Sequence, residues 1–265
     1  MKRLLITGAA GGMGKVMRTK LAHMADIIRL SHRRDIEVDG EPEEFALCDL
    51  ADRDAVFRAV EGCDGIVHLG GVAAADKFSN IVDGNIVGLY NLYEAARANG
   101  MPRILFASSN HTVGFYHQDV PLDAKAPVRP DGLYAVSKCF GEALAQMYWD
   151  RFGQETAIVR VGSCFDRPRN HRQLATWLSY DDFVLLTERV FAVPRLGCPV
   201  IWGVSNNAAG WWDNSHVAWL GWVPNDNAEA FRAEIEADVP RPDPTDPLAL
   251  YQGGNHVTDP IYEDD

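Results

Sequence analysis

Short runs of Leu, Ile and Val bounded by Gly, Asp or Ser alternate along the chain with longer stretches in which apolar residues recur every third or fourth position. A two-residue rhythm followed by a 3.6-residue rhythm predicts strand then helix, the pattern of parallel βαβ units. Strands are predicted over residues 3–7, 27–30, 44–48, 65–69, 103–107 and 156–161, and helices over 13–24, 53–60, 85–99 and 133–152. The fold class expected is α/β, a doubly wound parallel sheet of Rossmann type. Beyond Gly162 the rhythm gives way to a polar, aromatic-rich stretch holding Pro168, Pro194, Pro199, Trp177, Trp202, Trp211, Trp212, Trp219 and Trp222. Residues 163–265 therefore read as a small C-terminal lobe, joined to 1–162 as one structural unit. Within it 181–192 reads as a helix, and the Pro-, Asp- and Gly-rich 240–265 as an extended tail on the surface.

Composition narrows the classes of function. A hydrophobic fraction of 47% with 23% charged residues is that of a packed globular protein. The net charge of -12, from 37 acids against 25 bases, opposes a general nucleic-acid or anionic-membrane surface. An anionic ligand would need a local basic pocket. The five cysteines, Cys48, Cys63, Cys139, Cys164 and Cys198, contain no C-x-x-C pair, so reduced thiols are expected, with neither a disulfide framework nor a metal site. A strand begins almost at once, in Leu4-Leu5-Ile6, and no apolar run reaches transmembrane length, so a cytoplasmic location is expected.

The first strand hands over to the first helix through Gly8-Ala9-Ala10-Gly11-Gly12-Met13-Gly14. Gly8 suits the tight turn, Gly11 lets backbone N–H groups approach a pyrophosphate, and Gly14 lets the helix pack on the sheet. This placement makes 1–162 a dinucleotide-binding domain that includes the helix over 133–152. At the end of the second strand, where an acid usually meets the adenosine ribose, the chain reads Leu30-Ser31-His32-Arg33-Arg34-Asp35. NAD is the expected cofactor, with Asp35 or backbone groups serving the ribose; the two arginines would equally suit the 2'-phosphate of NADP. Asp49-Leu50 suits the adenine edge and face, and Leu69-Gly70-Gly71 lets backbone pass close to the cofactor.

Tyr134 and Lys138 form a Tyr-x-x-x-Lys pair one helical turn apart. A tyrosine near its ordinary pKa of about 10 is a poor base at neutral pH, and a neighbouring ammonium favours the phenolate. Ser108-Ser109-Asn110-His111-Thr112 follows the fifth strand at the carboxyl edge of the sheet, where doubly wound folds bind ligands. Ser109 would hold the reacting oxygen beside Tyr134, and Asn110 and His111 would meet hydroxyls or a carboxylate. Ser108 reads as a backbone cap. The Trp211-Trp212 pair reads as core or subunit interface ahead of a sugar-stacking platform.

These motifs together, Gly8-x-x-Gly11-x-x-Gly14, Ser109 and Tyr134-x-x-x-Lys138, resemble the extended short-chain dehydrogenase/reductase family across most of the chain. Within it, Ser108-Ser109-Asn110-His111-Thr112, Tyr134-x-x-Ser137-Lys138-Cys139-Phe140-Gly141-Glu142, Arg160-Val161-Gly162-Ser163-Cys164 and Gly210-Trp211-Trp212-Asp213-Asn214-Ser215 resemble the bacterial uronate dehydrogenases. The resemblance implies oxidation of the C1 hemiacetal of glucuronate or galacturonate to the aldarolactone, with hydride transfer to NAD. It implies Tyr134, Lys138 and Ser109 as the catalytic group, and Gly8, Gly11, Gly12, Met13, Gly14, His32, Arg33, Asp49, Leu50, Leu69, Gly70, Gly71, Lys138 and Cys164 around the cofactor. Ser109, Asn110, His111 and Ser163 would face the sugar, and Arg172 its carboxylate, with Arg169 or His171 as alternatives to Arg172. Two positions depart from the family pattern: His32, where an acid is usual, and Ala73, where a serine would offer a further polar contact. A homo-oligomer is expected. The same serine, tyrosine and lysine would serve a sugar-nucleotide epimerase or dehydratase that retains its cofactor, and the fold alone would also suit a non-catalytic dinucleotide-binding protein.

Overall fold

A computed structural model of the chain describes residues 1–38, 40 and 42–263. In chain order its strands are β1 (Arg3–Thr7), β2 (Ile27–His32), β3 (Glu43–Leu47), β4 (Gly65–His68), β5 (Arg103–Ser109), β6 (Thr156–Val161), the short β7 (Ser163–Cys164) and β8 (Trp177–Leu178), and β9 (Val200–Gly203). All but β7 and β8 form one seven-stranded parallel sheet in the order β3-β2-β1-β4-β5-β6-β9. The short pair is joined separately. The helices are α1 (Gly12–Lys20), α2 (Arg53–Val60), α3 (Phe78–Ile81), α4 (Gly88–Ala98), α5 (Leu133–Phe152), α6 (Gln173–Thr176), α7 (Tyr180–Ala192), α8 (Arg232–Asp238) and α9 (Pro247–Leu250). Among the described residues no helix is long and apolar enough to cross a membrane.

Strand alternation builds two apolar layers from the same runs. Leu4 and Ile6 of β1, Leu105 of β5 and Val159 of β6 join Met17, Phe183 and Leu186 on one face. Leu5, Ile104, Phe106 and Ile158 join Leu92, Tyr93 and Tyr148 on the other. A sheet buried on both faces needs apolar residues at successive positions, which is why β1 and β5 read as unbroken runs.

The sequence and the structure differ most at four places. The helix predicted over 13–24 ends at Lys20 and resumes as a 3-10 turn at Ala22–Met24. The helix predicted over 85–99 starts at Phe78 and runs through a π-helical turn, Val82–Val87, into α4. β9 was not expected, because four residues behind Pro199 are too few to show a period. The segment expected to lie extended on the surface instead folds back: α9 is capped by the Asp246 side chain, and Gln252 is fully buried. The Gln252 amide donates to the carbonyls of His117 and Val120 at 3.1 and 2.8 Å and accepts from Trp212 Nε1 at 2.7 Å. A polar composition concealed this anchor, since a buried glutamine is tolerated only when its partners arrive from distant parts of the chain. Residues 264 and 265 of the expected tail lie outside the described residues.

The 20-residue α5 ends at Gly153, whose φ of +79 closes the helix in the left-handed region. A buried ionic cluster fastens it to the sheet. Glu142 accepts from Arg160 Nε and Nη2 at 2.9 and 2.7 Å and from Ser108 Oγ at 2.6 Å. The expected capping role of Ser108 is therefore corrected: its side chain leaves the sheet on the face covered by α5, opposite in direction to that of Ser109. The Arg160 guanidinium also lies 5.0 Å from the centre of the Trp202 ring. Glu142→Ala leaves that guanidinium buried without its carboxylate, and a loss of about 3–5 kcal/mol of stability is expected in urea unfolding.

Candidate active site

Two steric demands shape the turn between β1 and α1. Gly8 has a φ of +69, and a Cβ placed there would lie 2.7 Å from the Leu69 carbonyl oxygen. A Cβ on Gly14 would fall 2.2 Å from the Gly8 oxygen. Side chains at these positions would push α1 off the sheet. A Cβ on Gly12, by contrast, meets nothing within 4 Å. α1 begins there with no side-chain cap and no acid in its first turn, so its leading N–H groups suit an anion. Thr7 Oγ1 accepts from Gly70 N at 3.0 Å and lies 2.8 Å from His68 Nδ1, joining β1 to β4 where the strand order reverses.

A cleft of about 830 Å³ opens over these strand ends. It is lined by Gly8, Gly11, Gly12, Met13 and Gly14, by His32, Arg33, Asp49 and Leu50, by Leu69, Gly70, Gly71 and Ala73, and by Cys164. Ser109, Asn110, His111, Tyr134, Lys138, Ser163 and Arg172 line it as well. Its volume and the open glycine turn fit a dinucleotide with room for a small second ligand. Asp35, Arg169 and His171 do not line it. Arg169 pairs with Asp166 at 3.3 Å and His171 Nε2 lies 2.8 Å from the Val239 oxygen, so neither takes the place of Arg172.

Tyr134 and Lys138 sit near the start of α5. Lys138 Nζ donates to the Ala107 carbonyl at 2.8 Å and lies 5.6 Å from the centre of the Tyr134 ring. Burial pulls the lysine pKa down to about 8. The phenol is pushed up to about 12, chiefly by burial and partly by the Asp131 carboxylate, against the hydrogen bond with Ser109. The expected depression of the phenol pKa is thus corrected. The ammonium faces a carbonyl and the ring face, and burial of the hydroxyl outweighs it.

On the opposite wall Arg172 is only 8% exposed. Its Nε donates to the Gln252 carbonyl at 2.6 Å. With the Asn110 amide turned to satisfy both neighbours, its nitrogen donates to the Val161 carbonyl at 3.1 Å and its oxygen accepts from Arg172 Nη2 at 2.7 Å. Burial lowers the Arg172 pKa to about 10, which leaves it charged at neutral pH. No carboxylate among the described residues lies within ion-pair distance of it. His111 Nδ1 is 2.6 Å from Asp131 Oδ2, and burial holds its pKa below the ordinary histidine value despite that partner. The His256 ring stands edge-on against His111 at 4.3 Å. Ser163 Oγ lies 2.9 Å from Thr176 Oγ1.

Several supporting residues were not foreseen. Asn85, in the π-helical turn, accepts from Val72 N at 2.7 Å and donates to Ser137 Oγ at 2.8 Å, and Ser137 donates to the Tyr134 carbonyl at 2.6 Å. Asp131 and Gln252 likewise carry no local signal, because their partners lie far away along the chain, and His256 reaches His111 across 145 residues. A polar residue inside an apolar helix was the available hint for Asn85. The tryptophans give no platform: Trp202 and Trp212 stack at 4.9 Å in a small core, and Trp177 packs against Phe231.

The model of the NAD dependent epimerase/dehydratase family matches residues 4–178. The chain belongs to that family. It is 61% identical over 263 residues to a uronate dehydrogenase of Agrobacterium fabrum, covering 99% of each chain. It is 52% identical to a uronate dehydrogenase of Pseudomonas putida, over 95% of this chain and 94% of that one. A crystal structure of an Agrobacterium tumefaciens uronate dehydrogenase, a tyrosine-to-alanine mutant complexed with NAD, superposes with a TM-score of 0.99 at 60% identity over the whole of both chains.

In this member of the epimerase/dehydratase family the buried lysine has an energetic consequence. The folded value of Lys138, about 8, lies below the ordinary 10.5. Below pH 8 the native state therefore holds a buried cation that the unfolded chain solvates, and this cost disappears as pH rises from 8 to 10.5. Lys138→Met is expected to be more stable than the parent by roughly 3 kcal/mol at pH 7. Urea unfolding should show the gap shrinking across that window.

Proposed function

We propose that the protein oxidises the C1 hydroxyl of D-glucuronate or D-galacturonate to the aldarolactone and passes the hydride to NAD. The likeness to uronate dehydrogenases along the full chain carries this reading. The buried, charged and unpaired Arg172 supports it. A guanidinium costs several kcal/mol to desolvate, and a uronate carboxylate offers both oxygens to its planar fork.

The turn from Gly8 to Gly14 holds the pyrophosphate at the start of α1, with Asp49 and Leu50 at the adenine and Leu69, Gly70, Gly71 and Cys164 flanking the remainder. Bound NAD supplies the electron-poor ring that accepts hydride. Ser109 orients the C1 hydroxyl, and Tyr134 removes its proton as the C1–H pair of electrons leaves, so that C1 becomes the lactone carbonyl. Lys138 binds the nicotinamide ribose. The Ser109 hydrogen bond favours the phenolate but leaves the tyrosine at about 12, and the lysine charge is the group at hand to bring it lower. Asn110, His111 and Ser163 meet the sugar hydroxyls. Asp131 holds His111 in one orientation and tautomer.

Initial rates of NAD reduction at 340 nm with each uronate test the reading; an epimerase would give no net NADH. Tyr134→Phe should lower kcat by about 10²–10⁴-fold while NAD still binds. Arg172→Ala should raise KM for the uronate about 30-fold or more, equivalent to roughly 2 kcal/mol. No turnover with either acid would defeat the proposal.

A further inference from the structure

The adenosine end of the cleft carries chemistry that an unphosphorylated ribose does not use. The Ser31 carbonyl accepts from Ala9 N of the glycine turn at 3.1 Å, which sets the end of β2 directly against that turn. Ser31, His32, Arg33 and Arg34 consequently line the cleft where a Rossmann sheet meets the adenosine ribose. An acid at this place accepts hydrogen bonds from the ribose hydroxyls, whereas an arginine receives a 2'-phosphate. Here a half-buried imidazole takes the place, its Nδ1 accepting from Arg34 N at 3.0 Å, and two exposed guanidinium groups follow.

Neither Arg33 nor Arg34 makes a side-chain hydrogen bond or an ion pair with a described residue. Two nearby carboxylates of the lining, Asp49 and Asp76, are engaged by local donors. Asp49 accepts from Ala51 N at 3.0 Å, and Asp76 accepts from Lys77 N at 2.7 Å and Asn80 Nδ2 at 2.9 Å. Arg33 is near enough to Asp76 to help hold that carboxyl below its usual range, yet forms no contact with it. In a chain with a net charge of -12, two adjacent unpaired arginines on a ligand cleft form a local reversal of sign.

We infer that this end of the cleft accepts a 2'-phosphorylated adenosine, so that the protein uses NADP as well as NAD, with Arg33 and Arg34 holding the 2'-phosphate and His32 packed beside it. The inference rests on the dinucleotide reading above and adds a ligand group to it. Guanidinium groups suit a phosphate because they present paired donors in one plane.

Calorimetric titration of the purified protein with NADP, NAD, adenosine 2',5'-bisphosphate and AMP tests it without turnover. NADP is expected to bind within about tenfold of NAD, since the charge-assisted bonds offset the desolvation of the phosphate. In the Arg33→Ala/Arg34→Ala variant the affinity ratio of phosphorylated to unphosphorylated ligands should fall about tenfold to a hundredfold. His32→Asp should shift the same ratio towards NAD by placing a carboxylate at the ribose. Binding of NAD without NADP overturns the inference, as does NADP binding whose ratio to NAD the arginine changes leave unmoved. Failure of both dinucleotides to bind overturns the cofactor reading beneath it as well.

Discussion

One carboxylate governs the geometry of the cleft. Glu142 lies two turns beyond Tyr134 on α5 and binds both Arg160 of β6 and Ser108 of β5. A helix packed on a sheet by apolar contacts alone can slide or roll with little penalty, since those contacts have no direction. Three charge-assisted hydrogen bonds remove that freedom. The neighbouring residue, Ser109, faces the cleft, so the strand that holds Ser108 against Glu142 also sets Ser109 against Tyr134. Position along the helix and height above the sheet are thus fixed together.

Electrostatically the cleft contrasts with the rest of the molecule. The chain is strongly acidic, but Lys138 and Arg172 are buried cations without carboxylate partners in contact, and Arg33 and Arg34 stand at the far end. Among the described residues none of the four has a carboxylate in hydrogen-bond or ion-pair contact, so the cleft presents positive charge that the rest of the chain does not. Burial pushes the Tyr134 phenol up to about 12, because a phenolate there would lack solvation.

What could be read from the sequence follows the range of the interactions involved. The glycine turn and the Tyr134–Lys138 pair announce themselves because each is complete within a few residues, with spacing that matches a turn or a helical period. β1 and β6 are bounded as expected because their largely apolar runs are contiguous and stop at turn residues. The contacts of Asp131 with His111, Gln252 with Arg172 and Asn85 with Ser137 span long stretches of chain, and nothing in the neighbourhood of either partner signals the other. The misjudged segment over 240–263 shows the same limit. Proline, aspartate and glycine spell surface loops, and Gln252 looks like one more polar residue until Trp212 and the 117–120 loop surround it.

The return of that segment also sets an order of assembly. A ribosome releases the glycine turn, the sheet and α5 before it releases Gln252 and His256. A nascent chain can therefore form the dinucleotide half of the cleft while the wall around Arg172 still lacks the backbone oxygen that its guanidinium binds. Completion of that wall depends on contacts of long sequence range, such as Arg172 with Gln252 across 80 residues, which close slowly relative to local ones.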